Sequence, residues 1–313
     1  MNVEVLRAGA LTTIQDLGRL GHQREGVPEA GAMDAHAARL ANLLVGNLES
    51  AALLEATLLG PALRFAGATT VALGGADFGA TLDGEALAPW RAVAVSAGAT
   101  LELGAARDGC RAYIAIAGGI EVPAVLGSRS TYLPAAIGGL DGRALRRGDV
   151  LQASVPGESR ARRSLPVAQR PVYDGNVRLV PSEMLAALGD AARATLLGEE
   201  FRVSPDSDRM GCRLTGPRLG GAAVPELLSS GATMGTVQLP PGGAPIVLMA
   251  DHQTTGGYPV LGHVATVDLG KVAQLRPGDP IRFTGISLDD AQRLYLERER
   301  AIAALRRALS FPP

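Results

Sequence analysis

From residue 52 to residue 117, turn-forming residues interrupt the chain roughly every ten positions: Gly60-Pro61, Gly67, Gly74-Gly75, Asp83-Gly84, Gly98, Asp108-Gly109 and Gly118-Gly119. Between them lie short aliphatic and β-branched runs, too brief for helices. This spacing predicts an all-β barrel or sandwich. Asp83-Gly84 reads as a two-residue hairpin loop. Further strands are expected at 177–180, at 201–203 and over the apolar run Ile246, Val247, Leu248, Met249, Ala250.

Helix signals are few. Asp34 is placed to cap a helix over 35–45, where Ala37, Leu40, Ala41 and Leu44 recur at helical spacing and Gly46-Asn47 closes it. Residues 182–197 read as helical with a break at Gly189. Ser287, with Asp290 three positions on, opens a terminal helix carrying Ala291, Leu294, Arg298, Ile302 and Leu305. The chain is therefore expected to be mainly β: two β-barrel-like units, a few short helices and a C-terminal helix.

One heptad supports the two-unit division. Leu145-Arg146-Arg147-Gly148-Asp149-Val150-Leu151 is echoed by Leu275-Arg276-Pro277-Gly278-Asp279-Pro280-Ile281, as if two β-units finished alike. Between them, residues 155–171 are rich in Ser, Arg, Pro and Gly and mark a boundary. The expected domains are 1–160, 170–286 and the terminal helix 287–313.

Charge and cysteine content remove several functions. Thirty basic against 31 acidic residues leave a net charge of −1, without the basic field that nucleic acid requires. No apolar run approaches the ~20 residues of a membrane span. The chain opens directly as a strand, with no charged leader, which makes cytoplasmic placement the expectation. Cys110 and Cys212 stand apart from any Cys-x-x-Cys pair, so no metal is expected and both read as small buried hydrophobes. Lys271 is the only lysine and lies outside any Gly-x-x-x-x-Gly-Lys-Ser/Thr loop.

The densest chemistry lies in residues 250–259, Ala-Asp-His-Gln-Thr-Thr-Gly-Gly-Tyr-Pro. A strand end followed by a carboxylate, an imidazole, a carboxamide, hydroxyls, two glycines and a phenol suits a small polar ligand. Gly256-Gly257 would let a ligand approach the main chain. His252 could serve as a base, but alternation along an extended segment would turn it away from Asp251 and Gln253. A second hydroxyl-rich loop, 127–132, carries Arg129 between Ser128 and Ser130, with Tyr132 beyond. An arginine so placed can hold a carboxylate or phosphate.

Taken together, Gly31-Ala32-Met33-Asp34, the 39–47 helix, the 127–132 loop, Ser207-Asp208-Arg209-Met210-Gly211 and the 250–259 stretch resemble one family. It is the A–B half of the carboxyltransferase domain of urea carboxylase, also known as allophanate hydrolase subunit 2, with a 5-oxoprolinase branch among chains of this length. The resemblance runs from about residue 3 to about 285 and rests on the ordered set of five motifs. It implies a cyclophilin-like barrel and a partner chain with the C–D half of the same domain.

For the reaction, the resemblance implies ATP-dependent opening of 5-oxo-L-proline to L-glutamate, with a third, lactam-hydrolysing subunit and ATP as co-substrate of the complex. No phosphate-cradling loop locates ATP in this chain. A biotin-dependent carboxyltransferase acting on urea or another small amide is the alternative, with biotin carried by another protein. A non-catalytic regulatory module that binds a partner is the third reading. The expected catalytic residues are Asp251, Gln253 and Arg129. Ser128, Ser130, Tyr132, Arg209, Gln238, Thr254 and Tyr258 are expected to bind the small amide substrate. If both loops formed one site, Arg129 and Gln253 would lie within ~10 Å of each other.

Overall fold

The computed structural model describes residues 1–154, 163–219 and 228–310, with Ser310 described for its backbone alone. The boundary expected at 155–171 thus falls outside the described residues over 155–162. The chain forms two compact units: Met1–Arg19, Ala30–Pro171 and Ile302–Pro313 make the first, and Leu20–Glu29 with Val172–Ala301 the second.

The first unit is built from two antiparallel sheets. A seven-stranded sheet runs in the order Ile120–Glu121, Val150–Ala153, Asn2–Arg7, Ala62–Phe65, Thr100–Glu102, Thr81–Leu82 and Glu85–Ala86. A five-stranded sheet runs Leu11–Gln15, Leu53–Thr57, Asp108–Ile116, Thr69–Asp77 and Ala92–Val95. The runs between 52 and 117 do form strands, but two of the expected turns do not exist: Gly74-Gly75 lies inside strand Thr69–Asp77, where a Cβ on Gly74 would meet Ala37 O at 2.9 Å, and Asp108-Gly109 opens strand Asp108–Ile116. Asp83-Gly84 joins the short strands Thr81–Leu82 and Glu85–Ala86 as expected.

Alternation explains how the five-stranded sheet is covered on both faces. Along Asp108–Ile116, Ala112, Ile114 and Ile116 enter a core shared with Val3, Val5, Leu63, Phe65 and Leu101 of the other sheet. Tyr113 and Ala115 face the opposite way, against Ala37, Leu40, Ala41 and Leu44 of helix Ala35–Val45. A strand buried on both faces reads as a continuous apolar run. That helix has the ends foreseen: the Asp34 side chain accepts from Ala37 N at 3.0 Å, and Gly46 caps the C-terminus.

The helix entry is tied to the sheet by a buried polar set. Glu55 accepts from Met33 N at 2.8 Å and from the Tyr113 hydroxyl at 3.0 Å, while that hydroxyl accepts from Asp34 N at 2.7 Å. Burial, with Glu55 and Asp34 nearby, pushes the Tyr113 phenol well above its usual range. It therefore stays protonated and donates to Glu55.

The second unit is a closed barrel of seven strands: Asn176–Pro181, Val260–Val264, Thr236–Gln238, Ile246–Leu248, Gly211–Thr215, Phe201–Val203 and Pro280–Gly285. Parallel pairing of Asn176–Pro181 with Pro280–Gly285 closes the ring. Val177, Leu179, Phe201, Val237, Val247, Leu261, Ile281 and Phe283 are fully or almost fully buried, and the Phe201 and Phe283 rings lie 6.3 Å apart. Helices Glu183–Ala187 and Asp190–Gly198 flank the break at Gly189. Lys271 ties this unit together by donating to Asp174 Oδ1 and to Asn176 O, each at 2.8 Å. Helix Leu288–Ser310 begins at Ser287, whose hydroxyl accepts from Asp290 N at 3.1 Å.

The repeated heptad is one turn used twice. Asp149 and Asp279 each accept from the backbone N–H three residues earlier, of Arg146 at 2.7 Å and Arg276 at 2.8 Å. Gly148 and Gly278 both hold φ near 90° (88° and 90°), a left-handed conformation that side chains resist. Each glycine N–H donates across to a strand, to Val5 O and Val203 O, both at 2.8 Å.

Asp149 also takes a two-pronged bond from Arg143, at 2.8 and 2.9 Å. That bond holds its carboxyl below the usual carboxylate range. A depressed pKa stabilises the fold above the unfolded value near ~3.9, and the gain is lost as pH falls through the folded pKa. Asp149→Asn is therefore expected to cost about 1 kcal/mol at pH 7. Thermal melts should show the gap to wild type closing as pH falls below the usual carboxylate range, through the depressed Asp149 pKa; a gap independent of pH would contradict this.

Candidate functional site

The 250–259 stretch starts where the apolar strand Ile246–Leu248 ends. His252 N donates to Met249 O at 3.0 Å, so the chain turns immediately after the strand. This turn overturns the alternation expected from an extended segment. Asp251 and His252 are both buried, 2% and 1% exposed, while Gln253 is exposed. His252 Nδ1 lies 2.6 Å from Gln253 O, and because a carbonyl oxygen only accepts, Nδ1–H is the donor. Its ring is thus folded back on its own backbone.

Asp251 is held by Arg209. The guanidinium donates from Nε to Oδ2 at 2.9 Å and from Nη2 to Oδ1 at 3.0 Å, and both side chains are nearly sealed from solvent. Asp251 N donates in turn to Arg209 O at 2.8 Å. The carboxylate expected to polarise an amide therefore has both oxygens engaged by a two-pronged pair that fixes the turn.

The rest of the Ser207–Gly211 motif builds the hairpin presenting Arg209. Asp208 accepts from Met210 N at 2.8 Å and Gly211 N at 3.1 Å, and Ser207 accepts from Arg213 N at 3.0 Å.

Beyond the turn, Thr254 O accepts from Ala232 N at 2.9 Å, and Thr255–Gly256 pairs with Ser230–Gly231 as a small ribbon. Thr254 is partly exposed and Tyr258 is 45% exposed. Gln238, at the end of barrel strand Thr236–Gln238, is 3% exposed. Its carboxamide lies over Gly256: a Cβ built there would meet Gln238 Nε2 at 2.5 Å. The space that glycine leaves is filled by the protein's own amide.

In the first unit, the 127–132 loop turns its serines inward. Asp16 Oδ1 accepts from the Ser128 and Ser130 hydroxyls, both at 2.6 Å, and from Gly18 N at 2.8 Å. Asp16 Oδ2 accepts from Arg129 N at 2.6 Å. Ser128 and Ser130 are 1% and 0% exposed, and Ser130 O accepts from the Arg19 guanidinium. Thr131 N donates to Ile14 O at 2.9 Å, so the loop is laid along strand Leu11–Gln15. The Arg129 side chain is exposed, with Nε donating to Val122 O at 3.0 Å. Tyr132 is partly buried, its backbone paired with Ile137.

Sequence reasoning missed Asp16, Arg19, Glu55 and Tyr113. The one signal was Glu55 itself, a carboxylate within the apolar run Leu53-Leu54-Glu55-Ala56, which demands a buried partner. Cys110 and Cys212 are buried, 4% and 5% exposed. Among the described residues, no group of three or more His, Cys, Asp or Glu side chains could hold a metal ion. Nor is any described helix long and apolar enough to cross a membrane.

Residues 25–285 match the model of the carboxyltransferase domain, subdomain A and B. The chain is 37% identical over 305 residues to the C component of 5-oxoprolinase from Haemophilus influenzae, covering 97% of this chain and 98% of that protein. Against the Escherichia coli K12 protein of the same name the identity is 39% over 302 residues, covering 95% and 96%. The K. lactis urea amidolyase structure superposes with a TM-score of 0.91 at 32% identity, over 97% of this chain and 20% of that one. The chain belongs to the family of carboxyltransferase domains, subdomains A and B.

Proposed function

We propose that the chain is a subunit of an ATP-dependent 5-oxoprolinase, acting with partner subunits to open 5-oxo-L-proline to L-glutamate. The observation that carries this reading is end-to-end similarity to two proteins named as the C component of 5-oxoprolinase, over 98% and 96% of their length. On this reading ATP is a co-substrate of the complex, and one partner carries the C–D half of the carboxyltransferase domain. Gln253 and Thr254 offer donors and acceptors to the lactam. Asp251, engaged by Arg209, positions the turn that bears them. Arg129, exposed on the first unit, can hold a carboxylate or phosphate, a role for which Arg209 is poorly suited because Asp251 occupies its guanidinium.

The likeness to urea amidolyase favours a second reading, a biotin-dependent carboxyltransferase with biotin carried on another protein. One experiment separates the two. The chain is purified with its C–D-type partner and the lactam-hydrolysing subunit, and glutamate release from 5-oxoproline is measured with and without ATP. The first reading expects ATP-dependent release that avidin leaves unchanged. Absence of release, or carboxylation of urea that avidin blocks, would sink it.

A further inference from the structure

Helix Ala35–Val45 ends at a cavity of about 520 Å³, a size usual for small-molecule sites. All of its lining residues belong to the first unit, and none comes from the 127–132 loop or the 250–259 turn. The turn after Gly46 forms part of the wall, and two asparagines hold that turn in place. Asn42 Nδ2 donates to Ala51 O and Asn47 Nδ2 to Ile116 O, each at 2.8 Å. Leu48 stands at this turn 79% exposed, while the buried Leu43 and the partly buried Leu17 also line the cavity. The last turns of helix Leu288–Ser310 contribute Arg306 and Leu309, and Leu305 of the same segment packs against the core that holds Leu40 and Leu44.

The charged groups here are mostly cationic. Glu49 accepts from Arg39 Nε at 2.7 Å and from Arg306 Nη1 at 3.4 Å, and Arg163 lines the cavity as well. Two helices end at this place, each with about half a negative elementary charge at its C-terminus. Three arginines outweigh these ends and the one carboxylate by about one positive charge.

We propose that this cavity is a binding site for a monocarboxylate with an aliphatic body, its head held by Arg163 and Arg306 and its chain laid along the leucines. A planar guanidinium can hold a carboxylate by two parallel bonds. With five N–H donors, Arg306 can do so while keeping Glu49. An excess near one positive charge suits a singly charged head better than a phosphate dianion. Each methylene buried against Leu17, Leu43, Leu48 and Leu309 strengthens binding by up to about fourfold. The site is independent of which amide the complex acts on, because it shares no residue with the two polar loops.

The test is calorimetric titration of the full-length chain with octanoate, hexanoate, acetate, octanamide and inorganic phosphate. Octanoate should bind at one per chain and hexanoate several-fold more weakly. Acetate lacks the chain and octanamide lacks the charge, so each should bind about tenfold more weakly or worse. Arg306 and Leu48 are both exposed, so Arg306→Gln and Leu48→Ser should melt with wild type. Arg306→Gln should nevertheless weaken octanoate about tenfold, and Leu48→Ser several-fold. Arg147→Gln removes an exposed arginine outside the cavity and should leave octanoate binding unchanged. Absent or unsaturable octanoate binding, an equal loss in Arg147→Gln, or tighter binding of octanamide or phosphate would each overturn the inference.

Discussion

Arg209→Met is expected to destabilise the barrel unit by about 3–5 kcal/mol, the usual cost of leaving one charge of a buried pair without its partner. Asp251 is 2% exposed, and both of its oxygens accept from Arg209. Methionine fills much of the volume but removes the guanidinium that engages both carboxylate oxygens. Arg209→Lys should be costly too, since an ammonium cannot reproduce the two-pronged geometry. The double variant Arg209→Met/Asp251→Leu removes both charges and should recover most of the lost stability. Urea denaturation of the three variants measures this. An Arg209→Met variant within about 1 kcal/mol of wild type, or a double variant no better than Arg209→Met, would show that the pair does not act as a unit. Activity of the stable double variant would show whether the turn holding Gln253 and Thr254 needs the pair.

The second large effect is expected in the first unit. Asp16 gathers four hydrogen bonds, from Gly18 N, Ser128 Oγ, Arg129 N and Ser130 Oγ. Asp16→Ala strands two backbone N–H groups and two buried hydroxyls at once, which should cost about 3–5 kcal/mol. Asp16→Asn keeps one acceptor oxygen but faces the other donors with an NH2 group, and should cost about half as much. The effect should be local: amide hydrogen exchange of the 127–132 loop should rise most, because Asp16 secures that loop to the end of strand Leu11–Gln15. If Asp16→Ala melts with wild type, or exchange rises evenly through the unit, the Asp16 cage is not what holds the loop.

Both effects bear on how the two polar loops should be understood. The hydroxyls of Ser128 and Ser130 and the carboxylate of Asp251 have the chemistry of ligand-binding groups, and the sequence offers them as such. In the folded chain they are engaged by Asp16 and by Arg209. Their neighbours Arg129, Gln253 and Tyr258 are exposed, and Thr254 is partly so. The motif is thus a frame of inward-facing residues that holds outward-facing ones in place. Composition alone does not separate the two sets.

What the sequence determined by itself were features closed within a few residues. The Asp34 and Gly46 helix ends, the break at Gly189, the Ser287 cap and the repeated Arg-x-Gly-Asp turn each satisfy backbone groups with neighbours three or four positions away. The strand runs were equally legible, because burial on both faces of a sheet imposes an apolar run whatever the pairing. Tertiary structure alone decided the polar partners. Asp16 meets Ser128 across 112 residues, and Arg209 meets Asp251 across 42. A side chain's chemistry states what it can bond but not which distant group arrives there, and only the pairing of strands brings Arg209 to Asp251 and leaves Gln238 facing Gly256.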